Sequence, residues 1–130
     1  MQKSEGATAE HISRIIKLFE GKWKIHILWA MRTQPVRLST LKRLYPTASK
    51  KALRAGLRDL EEAQIVVRHD LTDVLLHVEY QMVDEMRGAT CDLLNGLAAF
   101  GQTMETKEMK KVSQQVESPT RRSSPASGQI

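Results

Sequence analysis

A single cysteine in 130 residues leaves the chain without a disulfide framework or a CxxC-type zinc site, and it suits a reducing compartment. No apolar run approaches the roughly 18 residues of a membrane span. The opening Met1-Gln2-Lys3-Ser4-Glu5-Gly6 is polar with no apolar segment behind it, so it does not read as a secretory signal. There is no P-loop, no GxSxG, no HExxH and no pair of carboxylates set to perturb one another. These absences set the expectation of a soluble cytoplasmic protein that is not an enzyme, carries no cofactor and does not engage a membrane.

What is present is close to the average for a soluble globular chain, at 41% hydrophobic and 27% charged, and the length suits one domain with a tail. The charge is unevenly placed. Residues 1–69 hold 14 Lys/Arg against 6 Asp/Glu, and residues 70–130 hold 6 against 9. Residues 37–58 contain Arg37, Lys42, Arg43, Lys50, Lys51, Arg54 and Arg58 and no acid. A one-sided run of this kind is the footprint expected for a polyanionic partner.

Hydrophobic spacing divides the chain into elements. Ile12, Ile15, Ile16 and Phe19 follow the i, i+3, i+4, i+7 pattern of an amphipathic helix over 11–19, after a flexible stretch 1–9. Gly21 marks a stop, and Trp23 to Met31 forms a second helix apolar on most sides, as suits the middle of a core. Ser39 is positioned to cap a short third helix up to Leu44, with Val36-Arg37-Leu38 as a minimal strand before it. Ser49 is positioned to cap a fourth helix to about Ala63, whose Leu53, Leu57 and Leu60 share one stripe. The connection Tyr45 to Ala48 has the length of a helix-turn-helix corner.

The pattern then becomes β-branched, in 65–69 and 75–82 around a short polar loop, which predicts an antiparallel hairpin. Helical spacing returns from Asp84, with Leu93, Leu97, Phe100 and Met104 on the stripe of a long helix fading near Lys110. Residues 112–130 hold five Ser, Pro119 and Pro125 with almost no large apolar groups, and predict a disordered tail. The domain is therefore expected over 10–111. Its class is α+β, mostly α: a helix-turn-helix followed by a β-hairpin wing, with a long C-terminal helix.

In a helix-turn-helix the second helix enters the major groove with its N-terminal residues at the base edges. That places Lys50, Lys51 and Arg54 toward bases, with Arg58 on the same arc. Arg37, Lys42 and Arg43 are expected at phosphates, and Arg68 and His69 of the wing at the backbone or minor groove. Ser39 and Ser49, at the starts of the two motif helices, complete the expected contact set. Double-stranded DNA is the expected partner. The competing reading is a winged helix used as a protein-interaction module, for which Asp70 and Asp73 in the wing loop are the clue.

The same residues resemble a known family. Glu20-Gly21-Lys22-Trp23-Lys24-Ile25-His26-Ile27-Leu28 is similar to the "GGKWKxxIL" opening of the HxlR-type winged-helix transcription regulators, relatives of the MarR group. Pro35 to Arg43 resembles their "GPxRFNELRR", Ser49 to Glu62 their "SxKxLxxxLRxLExxG" recognition helix, and Val78-Glu79-Tyr80-Gln81-Met82 their "VEYSLT" wing strand. The blocks are collinear from about residue 10 to 104. The resemblance implies a two-fold dimer through the terminal helices, and the apolar stripes there offer Ile12, Ile15, Ile16, Phe19, Leu93, Leu97, Phe100 and Met104 as its expected interface. Departures are the missing wing prolines, Gln64 in place of Gly, and the lack of any cysteine in residues 1–21, where redox-sensing members carry one.

The remaining candidates have plainer readings. Cys91 lies beside the apolar stripe of the last helix and is expected to act as a small hydrophobe. No two of His11, His26, His69 and His77 are spaced i, i+4, and two wing histidines without a third ligand make a poor metal site. Trp23 and Trp29 are expected at the core or its edge. No effector can be named from these residues.

Overall fold

A computed structural model of the chain describes the backbone of residues 2–73 and 75–129, and the side chains of residues 6–73 and 75–114. The elements in order are α1 (Gln2–Leu18), α2 (Lys24–Ala30), α3 (Leu38–Leu44), α4 (Lys50–Glu62), β1 (Val66–Asp70), β2 (Val78–Met82) and α5 (Asp84–Gln129). This is the winged helix-turn-helix arrangement expected from the sequence.

The core forms where the apolar stripes of α2, α3 and α4 meet. Ile27, Leu28, Met31, Leu41, Leu53, Leu57, Leu60 and Met82 are all fully buried. Helices α2 and α4 approach closely because Gly56 has no side chain: a methyl group there would stand 2.9 Å from Ile27 Cδ1. Lys24 of α2 fastens the same junction, its Nζ lying 3.0 Å from Asp59 Oδ2 and donating to Leu18 O at 2.9 Å.

Helix α4 is well bounded. The Ser49 Oγ accepts from the Ala52 amide at 3.0 Å, the N-cap bond expected from the sequence. At the other end the Gln64 amide donates to Glu61 O and the Ile65 amide to Leu60 O, with Gln64 at φ +64. That pair of bonds and the left-handed residue form a Schellman C-cap, a position usually filled by glycine.

The wing is an antiparallel pair, with Val66 opposite Met82 and Arg68 opposite Tyr80. Val36 joins it as a one-residue third strand, exchanging two 2.8 Å hydrogen bonds with Tyr80. The bridge holds Arg37 extended, so Arg37 and not Ser39 is the N-cap of α3, and Ser39 lies inside the helix. Strand β2 begins at Val78, later than the β-branched run predicts. Asp70 Oδ1 accepts from the Thr72 amide and the Leu71 amide donates to His77 O, which closes the loop below Leu75 and Leu76.

Both end helices are longer than the apolar stripes predict. Residues 2–10 and 105–118 are mostly helix-forming types, which extend a helix without a buried face. The helical backbone of α5 includes the segment 112–129 assigned to a tail; side chains beyond Gln114 lie outside the described residues. The chain divides into two compact units, Met1–Asp92 and Leu93–Ile130.

Candidate nucleic-acid interface

Every cation of α4 is exposed, outside the stripe that packs on the core. Lys50, Lys51, Arg54 and Arg58 are exposed, while Leu53, Gly56, Leu57 and Leu60 are buried. The acids Glu61 and Glu62 fall in the last turn. No acid stands in the first turn to oppose a polyanion there.

Between α4 and the wing lies an open cleft of about 350 Å3. Arg37, Lys50, Arg54 and Arg68 line it together with Ser39, and Leu76, Val78 and Tyr80 form its wing side. Four cations and no acid thus converge from α3's N-terminus, α4 and β1 on one concavity. Its shape is held by backbone: the Val36–Tyr80 bridge sets the foot of the wing, and Arg37 Nη2 donates to Leu76 O at 3.2 Å.

The helix-turn-helix corner is built from side chains that sequence reasoning did not assign to it. Lys42 Nζ donates to Pro46 O at 2.9 Å and to Ala48 O at 2.7 Å. Two of its three donors are therefore occupied at the corner. Tyr45 donates its hydroxyl to His26 O at 2.9 Å, and its ring packs with Trp23 and His26 at centroid distances of 5.7 and 5.3 Å. Burial raises the Tyr45 pKa, with the Arg32 charge acting in the opposite direction. Trp29 is exposed and carries the Arg32 guanidinium 3.7 Å above its ring. The aromatic signal was legible in the sequence, but the trio depends on Tyr45 folding back onto α2.

The expected contact residues therefore separate. Arg37, Ser39, Lys50, Arg54 and Arg68 come together in the cleft; Lys51 and Arg58 are exposed outside it, and so is Arg43 on α3. Ser49 caps α4. His69 is half-buried opposite Glu79, whose Oε2 lies 2.9 Å from His77 Nε2. Among the described residues no group of three or more His, Cys, Asp or Glu is placed to hold a metal. No helix among them is long and apolar enough to cross a membrane.

On the end helices, Ile12, Ile15 and Ile16 of α1 are exposed and Phe19, just beyond α1, is half-buried. Leu93, Leu97, Phe100 and Met104 of α5 are exposed as well. Cys91 is half-buried.

Comparison with known proteins agrees with this geometry. The HTH-type transcriptional regulator BH0655 of Halalkalibacterium halodurans is 33% identical over 87 residues, which is 66% of this chain and 76% of the relative. The HTH-type transcriptional regulator YtcD of Bacillus subtilis is 32% identical over 90 residues, 69% of this chain and 71% of the relative. The crystal structure of ytcD matches with a TM-score of 0.66 at 32% identity, over 71% of this chain and 93% of that one. A MarR-family regulator from Enterococcus faecalis has the same fold, with a TM-score of 0.69 at 24% identity over 78% of this chain and 92% of its own. The profile of the HxlR-like helix-turn-helix family matches residues 18–109, and the chain belongs to that family.

Proposed function

We propose that this protein binds double-stranded DNA as a homodimer and regulates transcription in the cytoplasm. The observation that carries the reading is the acid-free cleft lined by Arg37, Lys50, Arg54 and Arg68 beside the exposed face of α4. A helix of this diameter fits the major groove, and a phosphodiester strand lying in the cleft would meet four cations at once. Family membership and the regulators among its relatives support the same assignment.

Dimerisation is supported by apolar side chains that have no cover in a single chain. Ile16 is 64% exposed, Leu97 47% and Phe100 70%. Large apolar side chains left exposed in this way mark an interaction site. A two-fold pair would set two copies of α4 about one helical turn of DNA apart, roughly 34 Å.

Salt dependence tests the reading. Binding to a mixed-sequence duplex should weaken steeply as salt rises, because each neutralised phosphate releases counterions. Lys51→Ala should weaken binding to a preferred duplex by about 1–3 kcal/mol if it contacts a base, and Arg54→Ala should weaken binding to any duplex, with the fold intact by circular dichroism. Unchanged affinity in both would take α4 out of the interface.

A second reading has one specific observation in its favour. The wing loop exposes Leu75 by 80% and Leu76 by 76%, between Asp70, Asp73 and the strands. Such a loop also suits a winged helix that docks on another protein. Flat salt dependence on duplex DNA would favour that reading over the first.

A further inference from the structure

The cations of α4 fall into two groups that face different parts of a duplex. At about 100° per residue, the buried Leu53, Gly56, Leu57 and Leu60 define the inward direction of the helix. Lys51, Ala55 and Arg58 lie within about 30° of the direction opposite to it, whereas Arg54 and Lys50 are turned away by about 70° and 110°. The cleft gives the same division independently: Lys50 and Arg54 line it with Arg37 and Arg68, and Lys51, Ala55 and Arg58 do not.

The outward stripe is the part that penetrates deepest when α4 occupies a groove. Its exposed members in the first two turns are Lys51 and Ala55. Arg58 is one turn further along, next to Glu61 and Glu62, which hold that end of the helix away from phosphates. The first two turns present no Asn, Gln, Asp or Glu at all. The bidentate amide that selects adenine and the carboxylate that selects cytosine are therefore both missing from the reading face. What is left is an ammonium, which pairs with the O6 and N7 acceptors of guanine, and a methyl group, which packs on the methyl of thymine.

We propose that Lys51 and Ala55 set the sequence choice of this protein, Lys51 reading a guanine and Ala55 a nearby thymine in each half-site. Lys50 and Arg54 grip the phosphodiester strand in the cleft and are indifferent to sequence. This assignment rests on the DNA-binding reading above and deepens it by naming the class of duplex preferred.

The test begins with selection by the full chain from a random-sequence duplex pool, followed by affinity measurements on the enriched duplex. The enriched half-site should contain a G·C pair close to a T·A pair. Replacing that guanine by 7-deazaguanine, which lacks the N7 acceptor, should weaken the wild-type protein about tenfold and leave Lys51→Ala nearly unmoved. Replacing the thymine by uracil should weaken wild type by about threefold and have less effect on Ala55→Ser. Arg54→Ala should weaken binding to every duplex alike and reduce the salt slope by about one. All three positions are exposed, so each variant keeps its core and can be checked by its melting curve.

An enriched motif without the guanine would overturn the assignment. So would the reverse pattern, in which Arg54→Ala abolishes the base preference and Lys51→Ala weakens all duplexes uniformly. Both outcomes leave DNA binding itself standing. Failure to bind any duplex, with no response to salt, would instead remove the DNA-binding reading and this inference with it.

Discussion

Lys42 and Ala48 meet across the helix-turn-helix corner, the Lys42 ammonium donating to the Ala48 carbonyl at 2.7 Å. The same nitrogen donates to Pro46 O at 2.9 Å, so one side chain closes the five-residue connection between α3 and α4. Carbonyls in such a corner have no helical partner, and a charged donor satisfies two of them.

Lys42→Met, which keeps the apolar stem and removes the charge, should therefore lower stability by about 1–2 kcal/mol, since two partly exposed charge-assisted hydrogen bonds are lost. Denaturant titration measures this. The salt slope of DNA binding should stay where it is, because Lys42 is occupied at the corner. A slope reduced by about one with stability unchanged would mean that Lys42 holds a phosphate.

Gln64 is in the left-handed region at φ +64, at the end of α4. A side chain there costs about 1–2 kcal/mol relative to a right-handed residue, and glycine avoids that contact. Glycine loses more backbone entropy on folding, which offsets part of the gain. Gln64→Gly should then stabilise the protein by about 0.5–1 kcal/mol. A lower unfolding midpoint in the variant would show that the Gln64 side chain makes a contribution larger than the backbone strain.

Leu97 lies on the exposed stripe of α5 with Leu93, Phe100 and Met104. Leu97→Glu would place an unpaired charge in a buried interface, at a cost of several kcal/mol. Sedimentation should show half the assembled mass, and affinity for a two-half-site duplex should fall by orders of magnitude as the linked second contact is lost. Because Leu97 is exposed in the single chain, helicity should be retained. A variant that remains dimeric with normal binding would put the interface elsewhere, most simply on the Ile12/Ile15/Ile16 face of α1.

Residues 112–130 offer no apolar stripe for docking. Their deletion should leave the melting temperature unchanged within error, measured by circular dichroism. A loss of several degrees would show that this segment packs on the domain. Arg121 and Arg122 would still add sequence-independent DNA affinity, visible as a smaller salt slope after truncation.

Much of this fold is legible in the residues because the relevant signals are local. The Leu53/Leu57/Leu60 stripe, the Ser49 cap and the change from helical to β-branched spacing after Ile65 each depend only on near neighbours. The acid-free run 37–58 likewise pointed to the cationic surface before any geometry was known. What was not legible depends on contacts distant in sequence. Ser39 is not the cap of α3 because Val36 pairs with Tyr80, and no local preference of Ser39 reports that bridge. Lys42 counts as one more cation in the sequence, and only the folded corner brings the Pro46 and Ala48 carbonyls to it. Gly56 resembles any helix-weakening glycine until Ile27 is placed above it. Residues 2–10 and 105–118 escaped the apolar pattern because helix can persist on propensity without a buried face.

The two hydrogen bonds that Val36 and Tyr80 exchange also determine which part of the wing can bend. Below them, β1 and β2 are one side of a three-stranded clasp that includes the residue two before α3, so displacing the hairpin there would drag the recognition motif with it. Above them the hairpin is held by the His69–Glu79 and Asp70–Val78 pairs, the Leu71–His77 bond and the single Arg37 contact with Leu76 O. The wing is thus a short post, stiff at its foot. Its amides should divide accordingly in hydrogen exchange, with Val36 and Tyr80 slower than Leu71 and Thr72, whose partners lie within the hairpin itself. If the protein binds DNA as proposed, the spacing between the foot of the wing and α4 stays constant from one duplex to the next.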